Sequence, residues 1–187
     1  MDNRFHNLPD TAIQLLPMSA GDVLFRQAEP AIGFYRVQTG CVTLRRTTKA
    51  GDTLTLHRAT VGELFAEASV FSDQYHCDAI CTVAGEVQHI CKTATLNQLS
   101  KDKDFALSFS ALLARQVQSY RFLLEITAIK SADERVLAAV SAGYLEGAVT
   151  EFATRIHLTH EACYRALRSL CNDGRLIQTG RGRYRLL

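Results

Sequence analysis

The chain has 187 residues, 47% of them hydrophobic, and its 21 Lys and Arg against 19 Asp and Glu give a formal net charge of +2. This length can bury one good core and a smaller second one, so two compact units are expected. The absence of an 18-residue apolar run and of an apolar signal-peptide core excludes a membrane-spanning helix and predicts a cytoplasmic protein with no membrane partner.

Short apolar or alternating runs, broken by Gly and Asp, fill the chain between about residues 15 and 93. Residues 34–37 and 53–57 are two such runs. This spacing, with no long helix between the runs, is typical of an antiparallel sandwich or roll. We therefore predict an α+β protein whose N-terminal domain, residues 1–103, is an antiparallel β-roll of roughly eight short strands.

No Gly or Pro occurs from Asp104 to about Ile129, and apolar residues recur there at helical spacing. This pattern predicts a helix of about 26 residues. Its apolar positions wrap more of the circumference than packing on one domain requires, so a second copy of the chain is expected to cover the rest. Residues 104–130 are predicted as a dimerisation helix and hinge, and the interface candidates are Leu113, Val117, Tyr120 and Leu124. The alternative is a helix that folds wholly against its own β-roll.

Residues 131–187 have the pattern of helices joined by a tight turn and followed by a basic hairpin. In the last helix, Cys163, Leu167 and Leu170 fall at i, i+4 and i+7, so that one stripe packs inward. The opposite face carries side chains long enough to reach base edges in a DNA major groove. They are His160, Glu161, Tyr164, Arg165 and Arg168. This arrangement predicts a DNA-binding helix-turn-helix.

The charge distribution supports a DNA-binding C-terminus. Residues 150–187 hold seven Arg against three acidic residues, whereas residues 1–149 hold 14 basic and 16 acidic residues. A basic module beside a slightly acidic one is expected where a protein meets phosphates. Charge alone is equally compatible with a solvated helical face, and it is the spacing of the outward residues that favours DNA.

Four segments together carry a resemblance to the Crp/Fnr family of bacterial transcription regulators, over nearly all of residues 15–187. They are GDVLFRQ at 21–27, GFYRVQTG at 33–40, GELFAE at 62–67 and the reading helix that begins THEACYR at 159–165. The resemblance implies a cyclic-nucleotide-binding type β-roll (a double-stranded β-helix), a long dimerisation helix and a C-terminal winged helix-turn-helix. It also implies a homodimer that binds palindromic promoter sites in double-stranded DNA and recruits or blocks RNA polymerase.

By this resemblance, Arg165 contacts a guanine and Glu161 a cytosine on the partner strand. The chemistry agrees, because a guanidinium forks onto guanine O6 and N7 and a carboxylate accepts from cytosine N4. Thr159 matches the small hydroxyl residue before the helix, suited to N-capping and to a phosphate contact. His160 stands where many members carry a longer basic residue, which leaves the half-site preference open.

The hairpin of residues 175–185 looks like the wing of these proteins, turning at residues 180–182. Its arginines at the turn are placed to reach the DNA backbone. The predicted DNA-binding residues are therefore Thr159, His160, Glu161, Arg165, Arg168, Arg181 and Arg183.

The effector pocket implied by the resemblance departs from that of nucleotide-binding members. Glu67 fits their ribose-holding Glu, but Cys77-Asp78 replaces their phosphate-holding Arg-Ser pair and puts a carboxylate where an anion would sit. Tyr120-Arg121 replaces the Thr-Ser pair that meets adenine. We therefore expect an unknown effector or a redox signal in place of standard cyclic AMP binding, and no cofactor.

Two other functions remain open. One is a cyclic-nucleotide responder with a non-standard pocket, in which Arg121 supplies a substitute cation. The other is a stand-alone small-molecule-binding or enzymatic barrel, with Glu63 and Glu67 as a carboxylate pair. The dispersed positions of the barrel histidines, His57, His76 and His89, speak against a metal enzyme.

The six cysteines are expected to be reduced and mostly buried. Cys77 and Cys81, with His89 and Cys91, are conceivable as a thiolate–imidazole metal site. They lack the C-x-x-C spacing of most structural zinc sites, so packing is favoured and no metal is predicted. Cys163, inside the reading helix, is likewise expected to pack inward and to be inert to oxidation.

Overall fold

The computed structural model describes residues 5, 8–48, 51, 53–145 and 147–187. The chain forms two compact units, Met1–Ser110 and Ala111–Leu187. Within the described residues, no helix is long and apolar enough to cross a membrane.

The first unit is built around an antiparallel sheet in the order β1-β6-β3-β4, with β2 paired to β6 and β5 to β3. Short 3-10 helices lie at Asp10–Ala12 and Glu67–Phe71. The strands are β1 (Ile13–Met18), β2 (Val23–Phe25), β3 (Gly33–Thr47), β4 (Thr53–Ala59), β5 (Leu64–Phe65) and β6 (Asp78–Cys91). The prediction of roughly eight short strands was wrong for the described part of the chain, which has six, because β3 and β6 are 15 and 14 residues long.

The two long strands, β3 and β6, approach each other closely at glycines that interrupt the apolar runs of the sequence. The β3–β6 register shifts between Thr39 and Cys41. A Cβ on Gly85 of β6 would lie 2.1 Å from the carbonyl oxygen of Thr39, a distance that no side chain permits. Each glycine therefore marks a bulge inside a continuous strand and not the end of one.

Aromatic side chains fill the interior of the β-roll. The rings of Phe25 and Tyr75 stack with centroids 3.7 Å apart, and those of Tyr35 and Phe65 stack at 5.2 Å. The Tyr75 hydroxyl donates to the carbonyl oxygen of Gly33 at 2.9 Å. Burial, reinforced by the hydrogen bond with Tyr75, raises the pKa of Tyr35 far above its ordinary value. The core is thus a packed aromatic stack with its hydroxyl groups bonded internally.

Two helices follow the sheet, α1 (Lys92–Lys101) and the 26-residue α2 (Lys103–Ala128). The predicted long helix, Asp104 to about Ile129, is confirmed to within one residue at each end. The Asp102 carboxylate accepts from the backbone N–H of Phe105 at 3.0 Å and so satisfies an amide at the start of α2. Phe105 near that start packs in the first unit, and Ile126 near the other end is buried in the core of the second.

The second unit contains three further helices and a two-stranded sheet: α3 (Ala132–Ser141), α4 (Val149–Arg155), α5 (His160–Asn172), β7 (Leu176–Gly180) and β8 (Arg183–Leu186). Ser131 caps α3, its hydroxyl accepting from the Glu134 N–H at 3.4 Å. The helix ends at Ser141, and the Tyr144 N–H turns back to the Ala139 carbonyl at 2.9 Å.

Helix α4 ends in the same type of motif, but with a residue that is not glycine in the left-handed position. His157 has φ +55°, and the Leu158 N–H bonds to the Ala153 carbonyl at 2.9 Å. At the end of α5 that position is Gly174, with φ +69°. The turn between α4 and α5 is therefore a helix cap that holds His157 in a conformation unfavourable for a side chain.

Arg135 of α3 ties several carbonyls together near this turn. Its Nε donates to the Ile129 carbonyl at 2.8 Å, and its Nη1 donates to the His157 carbonyl at 3.2 Å and to that of Ile156 at 3.4 Å. One guanidinium thus joins the residues after α2 to the turn before α5.

Candidate nucleic-acid interface

Helix α5 is capped and buried as its sequence predicts. The Thr159 hydroxyl accepts from the Ala162 N–H at 3.2 Å. Cys163, Leu167 and Leu170 are all 0% exposed in the core of the second unit. Burial raises the pKa of the Cys163 thiol to about 11. The inward stripe is therefore confirmed, and the Cys163 thiol is buried in it.

The opposite face of α5 is exposed. At about 100° per residue, its five outward positions span an arc of about 140°. Within the part of the chain that the structure describes, none of these side chains makes a hydrogen bond or ion pair inside the protein. They are His160, Glu161, Tyr164, Arg165 and Arg168. This face holds two guanidiniums and a carboxylate whose hydrogen-bonding groups are available to a partner.

The hairpin β7–β8 turns at Arg181 and Gly182, as predicted. Both Arg181 and Arg183 are exposed, and they line one open cleft of about 410 Å³. The other residues of this cleft are Leu145, Gly147, Gly182 and Tyr184. Two guanidiniums beside one cleft are suited to donating hydrogen bonds to the oxygens of a phosphate group.

The predicted dimerisation residues form an exposed apolar stripe on α2. Val117 is 47% exposed, Tyr120 is 52% exposed and Leu124 is 70% exposed, while Leu113 is half-buried. Their spacing of three and four residues puts them along one side of the helix. A stripe of this kind is expected where one helix packs on another.

The predicted pocket residues fall in separate units. Glu67, Cys77 and Asp78 belong to the first, and Tyr120 and Arg121 belong to the second. Glu67 is 8% exposed at the start of its 3-10 helix. The Asp78 carboxylate accepts from the Gln27 N–H at 2.7 Å, so it is used within the β-roll.

The sequence analysis did not identify Arg46, a cation near Cys77. Burial raises the pKa of the Cys77 thiol, and the Arg46 guanidinium lowers it by a smaller amount. Arg46 Nε and Nη2 donate to the His76 carbonyl at 3.0 and 2.8 Å. It lines an open cleft of about 510 Å³ together with Gln27, Ala28, Ser72, Asp73, Gln74, Tyr75 and His76. No short-range spacing signals this contact, because Arg46 lies on β3, far from Cys77 in sequence.

The other candidate residues of the β-roll include buried thiols and a carboxylate that is hydrogen-bonded within a turn. All six cysteines are free, and Cys77 and Cys81 are buried in the β-roll core. Burial lowers the pKa of His89. Across the described ranges of the chain, no group of three or more His, Cys, Asp or Glu side chains is placed to hold a metal ion. The Glu63 carboxylate accepts from the Thr60 N–H at 2.7 Å and from its hydroxyl at 3.0 Å, so it closes a turn.

Comparisons with known proteins agree with this architecture. Residues 15–102 match the family model of the cyclic nucleotide-binding domain. FixK2 from Bradyrhizobium japonicum is 19% identical with a TM-score of 0.68, over 93% of this chain and 92% of that one. The catabolite activator protein of Thermus thermophilus is 23% identical with a TM-score of 0.55, over 100% and 94%. At these identities the likeness establishes the fold.

A closer likeness in sequence is to a sensor domain. The sensor domain of the transcriptional regulator DNR from Pseudomonas aeruginosa is 32% identical with a TM-score of 0.52, over 64% of this chain and 78% of that domain. Comparison with curated protein sequences gives no match.

Proposed function

Because this chain belongs to the Crp/Fnr family of transcription regulators, we propose that it is a sequence-specific DNA-binding regulator that acts as a homodimer on palindromic promoter sites. Members of this family are regulators and not enzymes. The proposal assigns residues 1–103 to a sensor domain, 104–130 to a dimerisation helix with a hinge, and 131–187 to the DNA-reading domain. We place its action in the cytoplasm, with RNA polymerase as a further partner by family likeness.

The outward face of α5 carries this proposal. Its Arg165 and Glu161 are exposed and have no hydrogen bond or ion pair within the described part of the protein, while Thr159 caps the helix. Guanine presents two acceptors to a guanidinium, and cytosine presents a donor to a carboxylate. A rigid helix with these groups on its open side is suited to reading a G·C pair in the major groove. The wing residues Arg181 and Arg183 are suited to the phosphate backbone.

The apolar stripe of α2 supports a homodimer. Leu124 at 70% exposed and Tyr120 at 52% exposed would be costly surface in a monomer. A second copy of the same helix covers both stripes at once and makes a two-fold interface. Two reading helices related by this symmetry require two half-sites of opposite orientation, which is a palindrome.

The state of the sensor supports an effector other than cyclic AMP, or a redox signal. By the family resemblance, Asp78 puts a carboxylate where a cyclic phosphate would bind, and the guanidinium of Arg46 donates to the His76 carbonyl. One observation favours the alternative of a cyclic-nucleotide responder with a non-standard pocket. Residues 15–102 match the cyclic nucleotide-binding domain, and Arg46 lies near Cys77, which with Asp78 replaces the phosphate-holding pair of nucleotide-binding members.

The experiment that tests the proposal is selection of bound sequences from a random DNA pool by the purified, reduced, full-length protein, with and without cyclic AMP. We expect a two-fold symmetric motif without nucleotide. Enrichment only in the presence of cyclic AMP would contradict the sensor argument and support the alternative. If neither condition enriches any sequence, and the folded, dimeric protein binds no duplex DNA even at low salt, the DNA-reading assignment is wrong.

A further inference from the structure

Tyr164 stands on the DNA-reading face of α5 but has no part in the G·C contact assigned above. It is 47% exposed. At about 100° per residue it lies about 40° from His160 and about 40° from Arg168, inside the arc of outward positions. Of those five side chains it is the only one that carries neither a formal charge nor an imidazole. The face therefore includes one large aromatic ring among polar groups.

Tyr164 lies near enough to the wing strand β8 to affect a side chain there. Tyr184 of β8 has its pKa raised first by burial and then by Cys171 and by the Tyr164 phenol, while Arg168 lowers it. Tyr164 and Arg168 are thus both within electrostatic range of the wing strand. Neither makes a hydrogen bond or ion pair inside the described part of the chain, so the Tyr164 ring edge and hydroxyl remain open to a partner.

The chemistry of the major groove selects the partner of such a ring. Guanine, adenine and cytosine present only hydrogen-bonding groups there, whereas thymine also presents its C5-methyl group. A phenol cannot fork onto a purine, because its single hydroxyl offers one donor. Its ring edge makes favourable contact with a methyl group, which is the apolar feature of the groove.

We propose that Tyr164 reads a thymine in each half-site through contact of its ring with the C5-methyl group, beside the G·C pair read by Arg165 and Glu161. This assignment rests on the proposed function, and it adds a base preference that the charged residues do not supply. Loss of one buried methyl contact corresponds to about three- to fivefold in affinity for each half-site, and to about tenfold or more when both half-sites change.

The test uses the sequence selected by the full-length protein and replaces its thymines with deoxyuridine, one symmetric pair at a time. Deoxyuridine removes only the methyl group. Affinities are measured for the wild type, Tyr164→Phe and Tyr164→Ala, with Asn172→Ala as an exposed control at the far end of α5. We expect one thymine pair whose replacement weakens the wild type and Tyr164→Phe by about tenfold but leaves Tyr164→Ala unchanged.

The outcomes separate this assignment from the function beneath it. If every thymine replacement affects the wild type and Tyr164→Ala equally, Tyr164 does not read a methyl group. If Tyr164→Ala weakens all sequences alike, the ring contacts the DNA backbone or the wing and the assignment is overturned. If the wild type enriches no symmetric sequence at all, the proposed function itself fails.

Discussion

The polar side chains of the β-roll and those on the outer face of α5 differ in whether the fold satisfies their hydrogen bonds. In the β-roll, Asp78 accepts from Gln27, Arg46 donates twice to a carbonyl and Tyr75 donates to Gly33. In the winged unit, the polar groups on the outer face of α5 make no hydrogen bond or ion pair within the residues described. Hydrogen-bonding groups that a fold satisfies internally hold the fold together, whereas unsatisfied groups on a rigid helix indicate an external partner.

The largest expected effect is on the core that supports the reading face. Leu167→Ala removes a side chain that is 0% exposed, so it should cost about 2–5 kcal/mol in the free energy of unfolding and abolish DNA binding. Urea unfolding of the full-length protein measures this cost. The matched control is Leu186→Ala, at a position that is 44% exposed, where little change is expected. Equal losses at the two positions would contradict the assigned inward face.

Removal of a reading group should affect sequence preference. Arg165→Ala should cost about 1–3 kcal/mol at the selected site and relax the preference at one base pair, because only this guanidinium forks onto guanine. Binding to the selected sequence and to duplexes changed at single base pairs measures both effects. An unchanged preference would mean that the reading face is assigned to the wrong side of α5.

Removal of a wing cation should weaken binding without changing preference. Arg183→Ala should reduce affinity for all sequences alike and lower the slope of log affinity against log salt by about 1 for each subunit. Titrations at several salt concentrations with selected and random duplexes give this slope. A loss confined to the selected sequence would instead place Arg183 on a base edge.

A smaller effect is expected where helices end in the left-handed conformation. Gly174 has φ +69° and open space where a Cβ would lie, so Gly174→Ala should cost about 1 kcal/mol through backbone conformation alone. His157 has φ +55° in the turn before α5, so His157→Gly should stabilise the protein by up to about 1 kcal/mol. Denaturant midpoints measure both changes. Shifts of the same sign would show that side-chain contacts, and not φ, decide at one of these positions.

The smallest effect is expected from thiol chemistry in the reading helix. Burial holds the pKa of Cys163 at about 11, above the ordinary thiol value of 9.0, so this thiol stays protonated and unreactive at pH 8. The stability that follows from keeping it neutral is present below pH 9.0 and is lost as the pH rises through about 11. Disulfide-exchange reagents at pH 8 should leave Cys163 unmodified in the native protein and modify it in urea. Rapid modification of native Cys163 with loss of DNA binding would instead place a redox switch in the reading helix.

Local sequence patterns predicted the inward face of α5 in the winged unit but not the number of strands in the β-roll. The inward stripe of α5 and the ends of α2 follow from periodicity within a few turns, which sequence displays directly. The strand number was wrong because a glycine at a close crossing, such as Gly85, has the same sequence signal as a glycine at a turn. The hydrogen bonds from Arg46 to the His76 carbonyl join residues far apart in sequence, which no local pattern encodes. The reading-face and pocket assignments stay predictions until binding is measured.

Arg135 gives the segment after the long helix a mechanical property. Because its guanidinium holds the carbonyl of Ile129 and those of Ile156 and His157 at once, residues 129–131 and the turn before α5 cannot shift separately without losing these bonds. Ile126 is 1% exposed in the same core, so the C-terminal end of α2 and the reading helix pack as one body. Any displacement of this end of α2 would therefore also displace the turn before α5.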